Sequence, residues 1–342
     1  MSQARSPQLL AITQGDSAGI GPETIARAVA LRATGPALVV GDVAVMRRAV
    51  AQCGLLLPVA RLESPADALQ APPDCIAVWQ PPGLADLVPA LATLAMGQVS
   101  ATAGQAAALC INAAAALALR GDVAAVVTAP IHKAALAAAG INFPGHTEML
   151  QAAAGGVPVR MMLANGELRV VLVTIHVALR RAIELLDFEA VLQTLRISHR
   201  SALAWGQPAP RIAVAGLNPH AGEGGLFGDE ELRFIAPAVA AARAEGIDAH
   251  GPFAPDTVFM RARNAADHPG EFDIVVAMTH DHGLIPVKYL GVAHGVNVTL
   301  GLPFVRTSPD HGTAFDIAGT GTADPSSLVA ALRMARQGLA EA

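Results

Sequence analysis

Short runs of β-branched and leucine residues, alternating with alanine-rich stretches of helical length, constrain this chain more than any other feature. The runs occupy residues 9–13, 37–40, 75–79, 123–128, 168–174, 211–215, 273–278 and 296–300. Helical patterns cover 22–32, 98–119, 188–204, 229–244 and 325–337. Such alternation predicts βαβ units and a largely parallel sheet, an α/β fold. Pro22 takes the tolerated first position of its helix, and the Pro/Gly-rich patches at 81–83 and 251–255 read as loops. At 342 residues the chain is long for one hydrophobic core, which implies two domains or one large α/β unit.

Composition narrows the function classes. Hydrophobic residues at 53% and charged residues at 15% describe a globular chain with much buried surface. Aromatics at 4% and a net charge of -5 offer neither base-stacking platforms nor a basic footprint, so no nucleic-acid partner is expected. An anionic substrate must then be held by a few local cations. Cys53, Cys75 and Cys110 lie among apolar neighbours without a C-x-x-C pattern and read as buried, reduced thiols. The first residues, MSQARSPQLLAITQGD, carry too short an apolar stretch for a signal peptide. The longest apolar stretch is broken by Asn112, Arg120 and Asp122, so no membrane span is expected and the location reads as cytoplasmic.

In open α/β sheets, ligands collect at the carboxyl ends of the strands. Three predicted strands run there into a histidine: LRVVLVT into His176, RIAVAG through LNP into His220, and DIVVAM through Thr279 into His280. One such histidine is ordinary in a core. Three on three strands suggest a shared metal site, because imidazole is the commonest protein metal ligand and three nitrogens leave room for substrate oxygens. Whether these strand ends are neighbours is a question of topology. A second cluster is cationic: Lys288, Asn297 and Arg306 form a natural phosphate or carboxylate clamp, with an internal salt bridge from Arg306 to Asp310 or Asp316 as the bland alternative. GDSAGIGPE at 15–23 follows a strand and opens a helix, and so could admit an anion to a helix N-terminus, or be only a tight turn. It lacks the Rossmann and P-loop spacings. FPGHTEML puts His146 and Thr147 just before a helix that Thr147 could cap. His199, His250 and His268 have surface-like neighbours.

These segments, with VTAPIHK, APDT, HDHGLIPVKY and GVNVTLGLPFVRTSPDHGTAFDIAGTG, resemble the PdxA family, the 4-hydroxythreonine-4-phosphate dehydrogenases of pyridoxal phosphate biosynthesis, over nearly the whole chain and in the same order. The resemblance implies a fold like that of isocitrate and isopropylmalate dehydrogenases, with two α/β/α domains, a cleft between them and a homodimer with sites at the interface. The implied first domain takes 1–135 with 308–342, and the second 136–307. The family's metal ligands fall on His176, His220 and His280, and its substrate and phosphate contacts on His146, Thr147, Lys288, Asn297 and Arg306. His146, Asp256 and Lys288 become the catalytic candidates. The implied chemistry is oxidation of a 3-hydroxy acid by NAD or NADP followed by decarboxylation, assisted by one divalent cation, Zn, Mg, Mn or Co.

The chain departs from the family pattern in GDSAG for the usual GDPAG and in HDHG for HDQG, which makes His282 atypical. Other segments look more like a paralogue branch that oxidises 4-phosphorylated threonate or erythronate. The implied substrate is therefore 4-phosphooxy-threonine or a 4-phospho-threonate or erythronate. The alternatives are a terephthalate-type cis-dihydrodiol dehydrogenase with an unphosphorylated substrate, a metal-dependent hydrolase, and a non-catalytic metal- or phosphate-binding protein.

Overall fold

The computed structural model describes residues 9–203, 207–291 and 294–340. Among the described residues the strands are β1 (Leu10–Thr13), β2 (Ala37–Val40), β3 (Val59–Leu62), β4 (Ile76–Trp79), β5 (Ala125–Thr128), β6 (Arg160–Ala164), β7 (Arg169–Leu172), β8 (Ile212–Ala215), β9 (Ala249–Phe253), β10 (Ile274–Ala277), β11 (Val296–Leu300) and β12 (Val305–Pro309). The chain divides into two compact units: unit 1 runs up to Val157 and takes in Leu302–Leu339, and unit 2 is Pro158–Gly301.

Unit 1 is parallel throughout, in the order β3-β4-β2-β1-β5-β12. Its strands are short and apolar on both faces, as a sheet covered by helices on both sides requires. The helix Ala101–Arg120 starts on Ser100, whose hydroxyl accepts from the Ala103 amide, and stops at Gly121 in the left-handed conformation. It is long and apolar enough to cross a bilayer, yet Cys110, Ile111, Ala114 and Leu117 are buried in the core of unit 1. Its alanine and glycine content serves close approach. At Gly104 a side chain would collide with the Ala135 carbonyl of the neighbouring helix Lys133–Ala138. Of the three cysteines only Cys110 is fully buried, and burial pushes its thiol pKa up.

Unit 2 follows the order β11-β6-β7-β10-β8-β9. β7, β10, β8 and β9 are parallel, but β6 runs antiparallel to both β7 and β11. The pairing is largely parallel, as expected, and β6 is the exception. The cause is a β6–β7 hairpin whose loop is organised by Asn165: its Oδ1 accepts from the amides of Glu167 and Leu168. The second Pro/Gly patch is likewise not all loop. Gly251 and Pro252 lie within β9, an edge strand, where a missing amide donor is tolerated.

The boundaries at 157/158 and 301/302 differ from the expected 135/136 and 307/308. Strand pairing accounts for the difference. β12 pairs with β5, which carries Arg306 into unit 1, and His146 and Thr147 lie on the helix His146–Ala153, whose Met149 and Leu150 pack with Ile111 of the unit 1 core.

Gly104→Ala should cost about 1–3 kcal/mol, because overpacking forces the two helices apart. A lower urea midpoint is the expected result, and an unchanged one would show that the contact is not tight.

Candidate active-site residues in the two units

The topological question posed by the three histidines has a definite answer. β7, β10 and β8 are consecutive neighbours, with Val275 of β10 opposite Val170 on one side and Ala213 on the other. Because all three are parallel, their carboxyl ends open on one edge, and strands about 4.8 Å apart bring the three loops within reach of one another. The Thr174 hydroxyl and amide both donate to the Met278 carbonyl, at 2.8 and 3.3 Å, tying the His176 and His280 loops together. The two rings lie 5.7 Å apart between centroids and are inclined by 47°.

His280 opens the helix His280–Tyr289, and its Nδ1 lies 2.8 Å from the Asp281 carboxylate. With the proton on Nδ1 held there, Nε2 presents its lone pair, the arrangement that orients metal-ligating histidines. His176 and His220 both sit at positive φ, 43° and 54°. Such backbone costs a non-glycine residue about 1–2 kcal/mol and persists only where the surroundings hold it. At His220 the holding group is Glu231. This buried carboxylate accepts from the Leu217 and Asn218 amides at 2.7 and 2.8 Å and from the Asn218 side chain at 2.9 Å. Glu231 opens the helical stretch that runs on through Ile235 to Ala244, as the predicted helix at 229–244 requires, and it also anchors the left-handed turn that begins at His220.

Among the described residues no three His, Cys, Asp or Glu side chains are already close enough to hold a metal ion. His220 faces Phe227, with ring centroids 6.1 Å apart. His176 and His280 nonetheless supply two adjacent imidazoles, and His220 leaves the neighbouring strand on the same edge. The donor chemistry suits a divalent cation of intermediate softness. His220 also lines a cavity of about 530 Å3 with Asp256, Phe259 and His282. The His282 Nδ1 is buried without a hydrogen-bond partner.

Lys288 is exposed in the last turn of the helix His280–Tyr289, and Asn297 lies on β11 with its Oδ1 buried and unpartnered. Both belong to unit 2. Arg306, His146 and Thr147 belong to unit 1, where the Arg306 charge acts on His146. Arg306 is only 3% exposed and donates to the Thr128 hydroxyl at 2.6 Å. Burial lowers its pKa to about 10, which leaves it cationic at neutral pH, while the Glu148 carboxylate opposes the shift. Thr147 does not cap its helix. The helix begins at His146, and Gly145 at the cap position has no side chain to offer. The Ala129 backbone acts on the His146 imidazole, whose Nε2 is buried without a partner. Thr128, Glu148, Asp281 and Glu231 were not singled out from sequence; only their position next to a candidate residue or a turn marks them. His199, taken for a surface residue, is half-buried with an unpartnered Nδ1.

Burial and the Arg306 charge hold His146 well below its ordinary pKa of 6.5. The unfolded chain therefore takes up this proton first. The resulting stabilisation is fully present above the unfolded value and is lost as the pH falls through and below it. His146→Gln should flatten the acid-side decline of the urea midpoint between about pH 7.5 and pH 5; identical slopes in both proteins would contradict a neutral, buried His146.

Comparison with known proteins follows the same lines. A family model described as "Pyridoxal phosphate biosynthetic protein PdxA" matches residues 33–335. A Beijerinckia indica protein named 4-hydroxythreonine-4-phosphate dehydrogenase is 56% identical over 323 residues, covering 93% of this chain and 91% of that one. A Salmonella typhimurium protein named D-threonate 4-phosphate dehydrogenase is 44% identical over 332 residues, covering 96% and 98%. The crystal structure of a 4-hydroxythreonine-4-phosphate dehydrogenase from Klebsiella pneumoniae superposes with a TM-score of 0.87 at 43% identity, covering 98% of this chain and 99% of that one.

Proposed function

Since the chain belongs to the PdxA family of dehydrogenases, we propose that its histidine edge and its buried arginine serve the oxidation and decarboxylation of a 4-phosphorylated 3-hydroxy acid. The protein is an oxidoreductase acting on a CH–OH group of a phosphorylated hydroxy acid, with a nicotinamide cofactor and a divalent metal. The finer reading assigns 4-phosphooxy-threonine or 4-phospho-threonate/erythronate as substrate, NAD or NADP as cofactor, and Zn, Mg, Mn or Co as metal. The observation that carries it is the adjacency of β7, β10 and β8, which end at His176, His280 and His220.

When bound, the nicotinamide supplies the hydride acceptor and the divalent cation supplies Lewis acidity at the hydroxyl and carboxylate oxygens. His176, His220 and His280 would hold the cation, with Asp281 orienting His280. Arg306, Lys288, Thr147 and Asn297 can all donate to phosphate oxygens, and Arg306 does so from a water-poor setting where a charge-assisted bond is strong. His146 differs in kind. Burial and the Arg306 charge favour its neutral ring, so its unpartnered Nε2 suits a substrate hydroxyl better than a phosphate dianion. Asp256 shares a cavity wall with His220 and is the carboxylate placed to handle a proton there. A cytoplasmic homodimer fits this reading. Unit 2 leaves Leu226, Met260, Ile285 and Tyr289 exposed, as an interface between copies would require.

The test follows nicotinamide reduction with the phosphorylated acids and with an unphosphorylated cis-dihydrodiol carboxylate, in the presence and absence of chelator. Chelator-sensitive reduction with a phosphorylated acid is expected. Activity confined to the dihydrodiol, or turnover without nicotinamide, would overturn the reading. His220→Ala should weaken metal binding by on the order of 100-fold, measured as metal content after dialysis; full retention would remove His220 from the ligand set. Arg306→Ala should raise KM for the phosphorylated acid by about 10- to 100-fold, and by far less for its dephosphorylated analogue. An equal rise for both would refute the phosphate assignment.

A further inference from the structure

The helix His280–Tyr289 presents two faces. Gly283 turns one of them to the sheet: a Cβ there would meet Leu172, Val170 and Ala277, so the helix lies directly on β7 and β10. His282, Ile285 and Pro286 fall at i, i+3 and i+4 on another side, and together they form one wall of the cavity of about 530 Å3. Asp256 and Phe259 line it from the segment after β9, and His220 lines it from the turn after β8 that Glu231 holds. All of these residues belong to unit 2. The cavity thus reaches a candidate metal ligand.

His282 is half-buried, and its two nitrogens differ. Nδ1 is buried without a partner. Nε2 is accessible and makes no hydrogen bond among the described residues. A proton on Nδ1 would be a buried N–H with no acceptor, and orphaned buried N–H groups are the rarest of unsatisfied groups. The neutral ring therefore keeps its proton on Nε2. An imidazolium carries a proton there as well, so in either state Nε2 donates and cannot accept. Asp256 brings the opposite property to the same cavity, because an ionised carboxylate only accepts.

We infer that His282 selects the substituent at C2 of the substrate and favours a hydroxyl over an ammonium. The inference rests on the reaction proposed above, in which the C1 carboxylate and the C3 hydroxyl lie at the histidine edge. C2 joins those two carbons, so its substituent falls next to His220, a residue of the cavity wall. A hydroxyl can accept from Nε2 and donate to a carboxylate such as Asp256. An ammonium donates only, and meets the Nε2 proton as donor against donor. Sites that hydrogen-bond a hydroxyl reject analogues that leave their polar groups unpaired. The glutamine of the usual HDQG pattern can turn either its carbonyl or its amide to a ligand and so accommodates both substituents. A histidine with Nδ1 buried has lost that freedom. Of the substrates above, the site takes the 4-phosphorylated 2,3-dihydroxy acids, of threonate or erythronate type.

The experiment compares kcat/KM at neutral pH for 4-phosphooxy-threonine and for the better of 4-phospho-threonate and 4-phospho-erythronate, with nicotinamide cofactor and divalent cation supplied. It uses the full-length wild type, His282→Gln and His282→Phe, with thermal unfolding of each. The wild type should favour the hydroxy acid by about tenfold or more. His282→Gln should bring the two substrates within about threefold of each other, and His282→Phe should lower the hydroxy acid about tenfold while changing the amino acid less than about threefold. Because both substrates are read on one protein, a loss of fold or of metal affinity lowers both alike and leaves their ratio unmoved. A ratio within about twofold of wild type in both variants overturns the inference, as does a wild type that prefers the amino acid. Failure of the wild type to oxidise either kind of acid would bring down the reaction itself and selection at C2 with it, a result distinct from an unmoved ratio.

Discussion

Parallel pairing of β7, β10 and β8 is the constraint on which the candidate chemistry of unit 2 depends. Parallel neighbours cannot be joined by a tight turn, so each strand is followed by a crossover that starts at the same edge. Every loop that leaves these strands therefore begins beside the others. A histidine placed a few residues past each strand end is brought toward its counterparts by backbone hydrogen bonding, before any side chain interacts. The hairpin of β6 and β7 works the other way. It turns one strand back, and its Asn165 loop opens at the amino end of β7, away from the histidines.

Each unit carries features that cost stability. His176 and His220 occupy left-handed backbone, and Glu231 is buried to keep the His220 turn in place. In unit 1 a guanidinium is buried at Arg306 and an imidazole is kept neutral at His146. Sites built from unfavourable groups need a rigid frame to hold them. In unit 1 the frame is the apolar sheet and its small-residue helices, with Gly104 packed close against the Ala135 carbonyl. The alanine enrichment thus has a packing role: it lets helices come close without bulky side chains to accommodate.

What was legible in the sequence follows a physical rule. Strands dominated by apolar residues, β1, β2, β4, β5, β7, β8 and β10, stand out because burial on both faces leaves few polar positions, and β11 shows through Val296, Val298 and Leu300. β3 and β9 are edge strands with partly exposed side chains, so their patterns carry alanine, arginine, glycine and proline instead. β6 begins with Arg160, whose guanidinium finds the Thr194 hydroxyl. β12 hides behind Arg306, Thr307 and Ser308, all buried and polar. Polar residues in a strand erase the periodic signal when their partners are distant in sequence. The Asn165-Gly166 pair was a readable hairpin signal that the strand pattern alone did not use.

The sequence by itself determined the α/β class, the strand ends that bear histidines and the family motifs, because these depend on local composition and on spacing along the chain. Tertiary structure alone decided that β7, β10 and β8 are neighbours and that Arg306 belongs beside Thr128. It also decided that Glu231 reaches back to hold the His220 turn. Each of these is a contact between residues far apart in the chain or a state of burial. Neither has a periodicity to read, because both arise only when separate segments pair and exclude water together.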